Sequence, residues 1–240
     1  MKVCEDRALE DDFTLEDTLP SEKDLEVPDL YRDLLLKAGE ALPDVQRELS
    51  RPGLLDPSKQ DLPVTRGILQ RVQAYYTLQS QVKKTFNKRV GNDGADFFTE
   101  TVASFVQASL ASRNSSLRVF SEEKLSKKRG KKRPDISVWR GDQPIAVIEC
   151  KTQMGWSRGT WEKDFLARES LLQEDFPELK VYHVIMTSVN WSGLPKDHPL
   201  TGKKWFCLSS HFPGPGSGYS SIQNVLNPVE PMILDILEIR

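Results

Sequence analysis

The sequence predicts an α/β fold in which a mixed β-sheet is flanked by helices. Between residues 95 and 187 the apolar patterns follow the order helix, strand, strand, strand, helix, strand, which is typical of a sheet covered by helices. One strand, Ile145–Lys151, begins with four apolar residues that do not alternate with polar ones. This pattern is typical of a strand that is buried on both faces.

Three helices are predicted from apolar residues that recur at helical spacing. The first runs from Gly67 to about Arg89, and the Gly91-Asn92-Asp93-Gly94 segment after it indicates a helix end followed by a new start. The second runs from about Ala95 to Ala111, and the third from Trp161 to about Glu174, where Pro177 follows.

Four strands are predicted from apolar and β-branched residues that are bounded by polar or turn-forming residues. They are Leu117–Phe120, Asp135–Arg140, Ile145–Lys151 and Val181–Thr187. Because Gly, Pro, Ser and Lys are frequent in residues 190–221, we expect a long loop region there.

The composition suggests three parts in a chain of 240 residues. Residues 1–90 form an acidic leader and a helical extension, and residues 91–190 contain the predicted sheet and its helices. Residues 191–240 form a loop-rich C-terminal extension that we expect to pack on this core. One domain with extensions is the ordinary expectation at this length.

The charge is distributed unevenly. The net charge is −2, but residues 1–30 hold eleven acidic and three basic side chains, so the remaining residues carry +6. Seven positive charges fall within the ten residues Lys124–Arg133. This distribution indicates a surface that binds a polyanion.

Other classes of protein are disfavoured by composition. No apolar segment approaches the roughly 20 residues that span a bilayer, and the acidic start lacks the apolar region of a secretory signal. The three cysteines (Cys4, Cys150, Cys207) are too scattered for a disulfide framework or a zinc site. We therefore expect a cytoplasmic protein with no membrane partner.

The residues most informative about chemistry are Asp135, Glu149 and Lys151. Glu149 and Lys151 are two apart on a strand, so their side chains share one face while that of Cys150 points to the other. The segment Gly141-Asp142-Gln143-Pro144 is predicted as the turn between the two strands. If residues 142–144 form a three-residue loop, Asp135 lies opposite Lys151, on the face of Glu149. A loop of two or four residues would turn Asp135 to the face of Cys150, so the site requires an odd loop or a bulge.

Two carboxylates on one face suit Mg²⁺, which prefers oxygen ligands and keeps several waters. Such a cation polarises a phosphoryl oxygen and lowers the pKa of a bound water. A lysine beside the carboxylates stabilises negative charge that develops on a phosphate. These roles together predict hydrolysis of a phosphodiester.

The string Pro134-Asp135 … Glu149-Cys150-Lys151 resembles the signature of the PD-(D/E)XK nuclease superfamily, which includes most type II restriction endonucleases. The resemblance implies a restriction-endonuclease-like αβββαβ core, similar to the order predicted for residues 95–187. It also implies Asp135 and Glu149 as metal ligands and Lys151 as the catalytic lysine. Residues 1–90 and 190–240 are not covered by it.

Other candidates for the site are less specific. Members of the superfamily often carry another acidic residue on the helix before the sheet, and Glu100 is the candidate here, with a solvated helix residue as the alternative. Gln153 resembles a glutamine of some branches that would bond DNA or a metal-bound water, although an ordinary strand-end glutamine fits as well. Arg158 would clamp a phosphate. The three histidines, His183, His198 and His211, are interpreted as structural or surface residues.

The basic segment Lys124–Arg133 leads directly into the strand of Asp135. A loop with seven cations supplies contacts to phosphates without reading bases. A nuclear-localisation-like segment or a solvated loop is the alternative. The residues expected to bind DNA here are Lys127, Lys128, Arg129, Lys131, Lys132 and Arg133.

These features lead to the expectation of a Mg²⁺-dependent endonuclease that acts on double-stranded DNA as a homodimer, with a type II restriction enzyme as the leading hypothesis. A repair, recombination or phage nuclease of the same fold is one alternative, and a catalytically silent DNA-binding module is another. No nucleotide cofactor is expected, because the chain contains no GxxxxGK[ST] loop.

Overall fold

Five strands form one open mixed sheet in the computed structural model of the chain. The structure describes residues 56–59, 61–86, 94–113, 115–125, 133–154, 159–214 and 225–239. All of them belong to one compact unit formed by residues 42–240. The predicted α/β class is confirmed at this level, as a mixed sheet with helices.

The strands are paired in their order along the chain. The first three are antiparallel to one another, and the last three are parallel. Their bounds are β1 (Arg118–Ser121), β2 (Ile136–Arg140), β3 (Gln143–Lys151), β4 (Lys180–Thr187) and β5 (Trp205–Ser209). Each of the four predicted strands is confirmed, with ends that differ by at most two residues.

Four helices accompany the sheet in the described part of the chain. They are α1 (Pro63–Phe86), α2 (Gly94–Ser112), α3 (Trp161–Gln173) and α4 (Glu230–Glu238). The three predicted helices are confirmed, although α1 begins four residues before the expected Gly67. Within these ranges no helix combines the length and apolar character needed to cross a membrane.

The expectation of a continuous loop over residues 190–221 is wrong at Trp205–Ser209. These residues form β5, and all five are buried. The strand pairs in parallel with β4, from His183 opposite Trp205 to Thr187 opposite Ser209. Its apolar residues gain a place in the core, and this outweighs the turn-forming composition around them.

The sheet is covered on both faces. The larger core lies between one face and residues of α1, α2 and α4, and includes Ile68, Phe98, Ile148, Tyr182 and Ile233. Smaller clusters on the other face include Phe165 and Leu172 of α3. Segments before residue 91 and after residue 190 therefore contribute to the same core as the sheet.

Candidate active site

The turn between β2 and β3 is shorter than predicted. Arg140 pairs with Gln143 across the two-residue turn Gly141-Asp142, and Pro144 lies within β3. Gly141 has a φ of +59°, a conformation that glycine adopts without the steric cost of a Cβ atom. The predicted turn over Gly141–Pro144 is therefore wrong at Gln143 and Pro144, and the alternative of a three-residue loop is excluded.

A bulge in the hairpin changes the strand register. With the two-residue turn alone, Asp135 would lie on the face of Cys150. The pairing shifts between Val138 and Trp139, and from there Val138 lies opposite Ala146 and Ile136 opposite Ile148. One further step along the strands sets Asp135 opposite Glu149 instead of Lys151. The extra residue of a bulge reverses the face of every later side chain. The bulge alternative is thus confirmed, and Asp135 follows the register of the face that carries Glu149.

Asp135 is held between β1 and β3. Its carbonyl oxygen accepts hydrogen bonds from the Glu122 amide (3.0 Å) and the Ser121 hydroxyl (3.3 Å). Its side-chain Oδ2 accepts a hydrogen bond from the Cys150 amide at 2.7 Å. The carboxylate is therefore fixed at the sheet edge where β3 ends.

Glu149 has a partner that the sequence analysis did not identify. Arg168, on α3, donates a hydrogen bond from Nε to Glu149 Oε1 at 2.9 Å, and its Nη2 lies 2.8 Å from the same oxygen in an ion pair. The two side chains are only 14% and 15% exposed. Arg168 Nη2 also donates to the Arg133 carbonyl at 3.2 Å. This ion pair joins α3 to the ends of β2 and β3.

A sequence signal for Arg168 exists in the pattern of α3. Phe165, Glu169 and Leu172 are the buried residues of this helix. Arg168 lies three residues after Phe165 and four before Leu172, so it belongs to the same helical stripe. A charged residue on a buried stripe requires a partner inside the protein.

Burial and neighbouring charges act in opposite directions on the pKa of the Glu149 carboxyl. Burial raises the pKa of Glu149 above its usual value, and the nearby Asp135 carboxylate raises it further. The positive charges of Arg168 and Lys151 act in the opposite direction. Burial, with the charges of Asp135 and Glu149, also raises the pKa of the Cys150 thiol. Cys150 therefore stays a thiol and is a poor nucleophile.

His183 lies next to Glu149 across the β3–β4 ladder. Its ring is 3% exposed and stacks on Phe165 with ring centres 3.8 Å apart. Burial lowers the pKa of His183 to about 3, and the charges of Lys151 and Arg168 contribute. The imidazole is therefore neutral at physiological pH, and it packs between Phe165 and the strand that carries Glu149.

The structure brings Asp135, Glu149 and Lys151 to one edge of the sheet, and Lys151 is exposed there. Glu100 has a different neighbour. Its side chain is 62% exposed and forms an ion pair with Arg71 of α1 at 2.8 Å. Among the described residues, no hydrogen bond or ion pair joins Glu100 to the three site residues.

The remaining candidates are placed only in part. Gln153 is half-buried, and its Oε1 accepts a hydrogen bond from Asn190 at 2.8 Å. Arg133 is exposed. The candidates that lie outside the described residues are Lys127, Lys128, Arg129, Lys131, Lys132 and Arg158.

The chemistry of the two carboxylates fits a hard cation. Each uses one oxygen within the protein, Oδ2 of Asp135 and Oε1 of Glu149. In the described part of the chain, the other oxygens, Oδ1 and Oε2, accept no hydrogen bond. Two carboxylate oxygens with water ligands are a usual environment for Mg²⁺. The residues present therefore fit the expected metal.

No protein-family model matches this chain, and no curated protein matches it.

Proposed function

We propose that this protein is a Mg²⁺-dependent endonuclease that hydrolyses phosphodiester bonds of double-stranded DNA. The observation that supports the proposal best is the register of the β2–β3 hairpin. Its bulge sets Asp135 opposite Glu149, and Lys151 ends the same strand two residues later. A sheet edge with two carboxylates and a lysine has the groups that phosphodiester hydrolysis requires.

Each residue has a distinct role in this proposal. Asp135 and Glu149 hold the Mg²⁺, which when bound supplies a Lewis acid and a bound water of lowered pKa. The Lys151 ammonium stabilises negative charge on the phosphate in the transition state. His183, neutral and buried, excludes water from one side of the carboxylates.

The finer assignment is a type II restriction enzyme that acts as a homodimer without a nucleotide cofactor. It is supported by the resemblance of Pro134-Asp135 … Glu149-Cys150-Lys151 to the PD-(D/E)XK signature. The order α2-β1-β2-β3-α3-β4 agrees with the order that this resemblance implies. Specific recognition and dimerisation would then use surfaces outside these elements.

A second candidate, a catalytically silent DNA-binding module, is favoured by the ion pair of Glu149 with Arg168. This pair neutralises the buried carboxylate without any metal. A plasmid assay separates the candidates. Purified protein is incubated with methylated and unmethylated plasmid in Mg²⁺, and then in EDTA. Discrete fragments indicate a restriction enzyme, and a smear indicates a non-specific nuclease of the repair or phage kind. Binding without cleavage indicates the silent module, and cleavage that survives EDTA contradicts the metal mechanism.

Substitutions test the proposed roles directly. We expect Asp135→Asn and Glu149→Gln to abolish plasmid cleavage, because each replaces a charged metal ligand with a neutral amide. Lys151→Ala should slow cleavage at least about a hundredfold, the usual loss for one preorganised electrostatic partner.

The matched control is Asp142→Asn, which neutralises an exposed carboxylate at the other end of the same hairpin. It should cleave at the wild-type rate. Wild-type cleavage by a folded Asp135→Asn or Glu149→Gln variant would move the active site elsewhere.

A further inference from the structure

Arg168 interacts with the carboxylate that the proposed metal needs. Its Nε donates a hydrogen bond to Glu149 Oε1 at 2.9 Å, and its Nη2 lies 2.8 Å from that oxygen. The two side chains are mostly buried, so water screens this pair weakly. A cation on Glu149 would therefore meet a positive charge that is already in contact with its ligand.

The guanidinium also has N–H groups that donate no hydrogen bond to the residues that the structure describes. Nη1 of Arg168 is buried and has no hydrogen-bond partner among the described residues. A buried donor without a partner costs free energy, so such donors are usually satisfied by water or a ligand. The planar guanidinium matches two oxygens of a phosphate better than an ammonium does.

We propose that Arg168 exchanges its partner: it binds Glu149 in the metal-free protein, and binds a phosphate of DNA once a divalent cation has bound Glu149. The inference rests on the proposed function, because it assigns a further residue to the same site. In this scheme the cation and Arg168 compete for Glu149. The cation and DNA assist each other, because the cation frees the guanidinium for the phosphate.

The location of Arg168 fits this role. Its Nη2 also contacts the Arg133 carbonyl, directly before Pro134 and Asp135. The guanidinium therefore joins Glu149, one proposed metal ligand, to Arg133 at the end of the basic segment. A phosphate that reaches the site along that segment would meet Arg168 within the same small region.

The experiment measures binding without cleavage. Calorimetry gives the affinity for Ca²⁺ in the absence of DNA, and fluorescence anisotropy gives the affinity for a short mixed-sequence DNA duplex in Ca²⁺ and in EDTA. The variant is Arg168→Met. The control is Lys163→Met, which removes one positive charge from an exposed position of the same helix.

We expect Arg168→Met to bind Ca²⁺ about tenfold more tightly than wild type, because its competitor is gone, a change within the usual range of coupling between sites. In the wild type, Ca²⁺ increases the affinity for DNA relative to EDTA. By the same principle, this increase should be about tenfold smaller in Arg168→Met. In EDTA its DNA affinity should equal that of the wild type. Lys163→Met should match the wild type in calcium binding and in the gain from calcium.

Unchanged calcium affinity in a folded Arg168→Met variant, or an unchanged gain in DNA affinity, overturns the exchange. If Arg168→Met does not fold, Arg168→Lys keeps the charge and loses the planar guanidinium. This variant should lose most of the gain, and a wild-type gain overturns the proposal. If the wild type cleaves DNA but the Arg168 variant has unchanged calcium affinity and an unchanged gain in DNA affinity, only the exchange is contradicted, and the proposed function stands. A wild type that binds no Ca²⁺ and cuts no DNA contradicts the proposed function as well.

Discussion

Glu230 is a single buried residue that joins two helices far apart in the sequence. Its Oε1 accepts hydrogen bonds from the amides of Val64 (3.0 Å) and Thr65 (2.9 Å), at the start of α1. Its Oε2 accepts a hydrogen bond from the Thr65 hydroxyl at 2.5 Å. The oxygen of that hydroxyl in turn accepts a hydrogen bond from the Val229 amide at 2.9 Å. A carboxylate is favourable here because the first amides of a helix have no partner within the helix and form its positive end.

We expect Glu230→Ala to lower the free energy of unfolding by about 3 kcal/mol, because it leaves buried amides and a hydroxyl without an acceptor. Urea denaturation followed by circular dichroism measures the change. Glu238→Ala, at an exposed position of the same helix, should change stability by less than about 0.5 kcal/mol. Equal losses in the two variants would show that the Glu230 contacts contribute nothing specific.

Arg168 and Glu149 illustrate how far a residue can be interpreted from its neighbours in sequence. The motif around Asp135 and Glu149 predicts the carboxylates, because alternation along a strand is a local property. It does not reveal that Glu149 binds an arginine 19 residues later on α3. The partner depends on how α3 lies over the sheet.

At the scale of elements, α1 and α2 approach closely at Gly67. A Cβ atom added at Gly67 would lie 2.6 Å from Cζ of Phe105, which is 3% exposed. Elsewhere in a helix, replacing glycine with alanine gains about 1 kcal/mol. Here the steric conflict costs about 1–3 kcal/mol and exceeds that gain.

Gly67→Ala should therefore destabilise the protein, measured as a lower melting temperature. Phe105→Leu alone should also destabilise it, because a buried ring is lost. The double variant should be more stable than the sum of the two losses predicts, because leucine leaves room for the new methyl group. If the stability loss of the double variant equals the sum of the losses of the two single variants, the close approach of the two helices at Gly67 is contradicted.

The β2–β3 hairpin shows the limit of prediction for an element. The residues Asp135–Arg140 and Ile145–Lys151 are recognisable as strands, and both are confirmed. The expected turn over Gly141–Pro144 is wrong, since Gln143 and Pro144 belong to β3. Only the bulge at Val138/Trp139 restores the face of Asp135, and a bulge has no reliable local signature.

At the scale of the whole molecule, the basic segment Lys124–Arg133 lies in the sequence directly before the strand of Asp135. Its first and last residues, Lys124 and Arg133, are exposed, whereas Leu125 and Pro134 beside them are buried. The lysines between them lie outside the described residues. Arg133, the last residue of the segment, accepts a hydrogen bond at its carbonyl from Arg168, which also binds Glu149. We therefore expect the segment to bind phosphates of a DNA duplex near the carboxylates.

We expect replacement of Lys127, Lys128 and Lys131 by serine to weaken DNA binding in Ca²⁺. Each phosphate contact that is lost should flatten the slope of log K against log salt concentration by about 0.9. Preference for one DNA sequence over another should stay the same, because phosphate contacts do not read bases. Fluorescence anisotropy over a range of salt concentrations measures both.

The control replaces three exposed lysines elsewhere, Lys59, Lys83 and Lys163. It should retain the wild-type slope. If the two triple variants show the same slope, the segment is a solvated loop. A loss of sequence preference in the first variant would mean that the segment reads bases.

The sequence by itself determined the α/β class, the three helices and four of the strands. It also singled out Asp135, Glu149 and Lys151 as chemically unusual residues in or beside predicted strands. These predictions succeed because helix and strand periodicity, and polar residues at the end of an apolar strand, are properties of neighbouring residues.

Only the tertiary structure decided which of these residues meet. β5 and α4 are short, and their burial depends on a sheet and on helices built from distant residues. The ion pairs of Glu149 with Arg168 and of Glu100 with Arg71 likewise depend on how α3 and α1 pack. The physical reason is that burial and charge pairing depend on distances in space, whereas local periodicity depends only on neighbours along the chain.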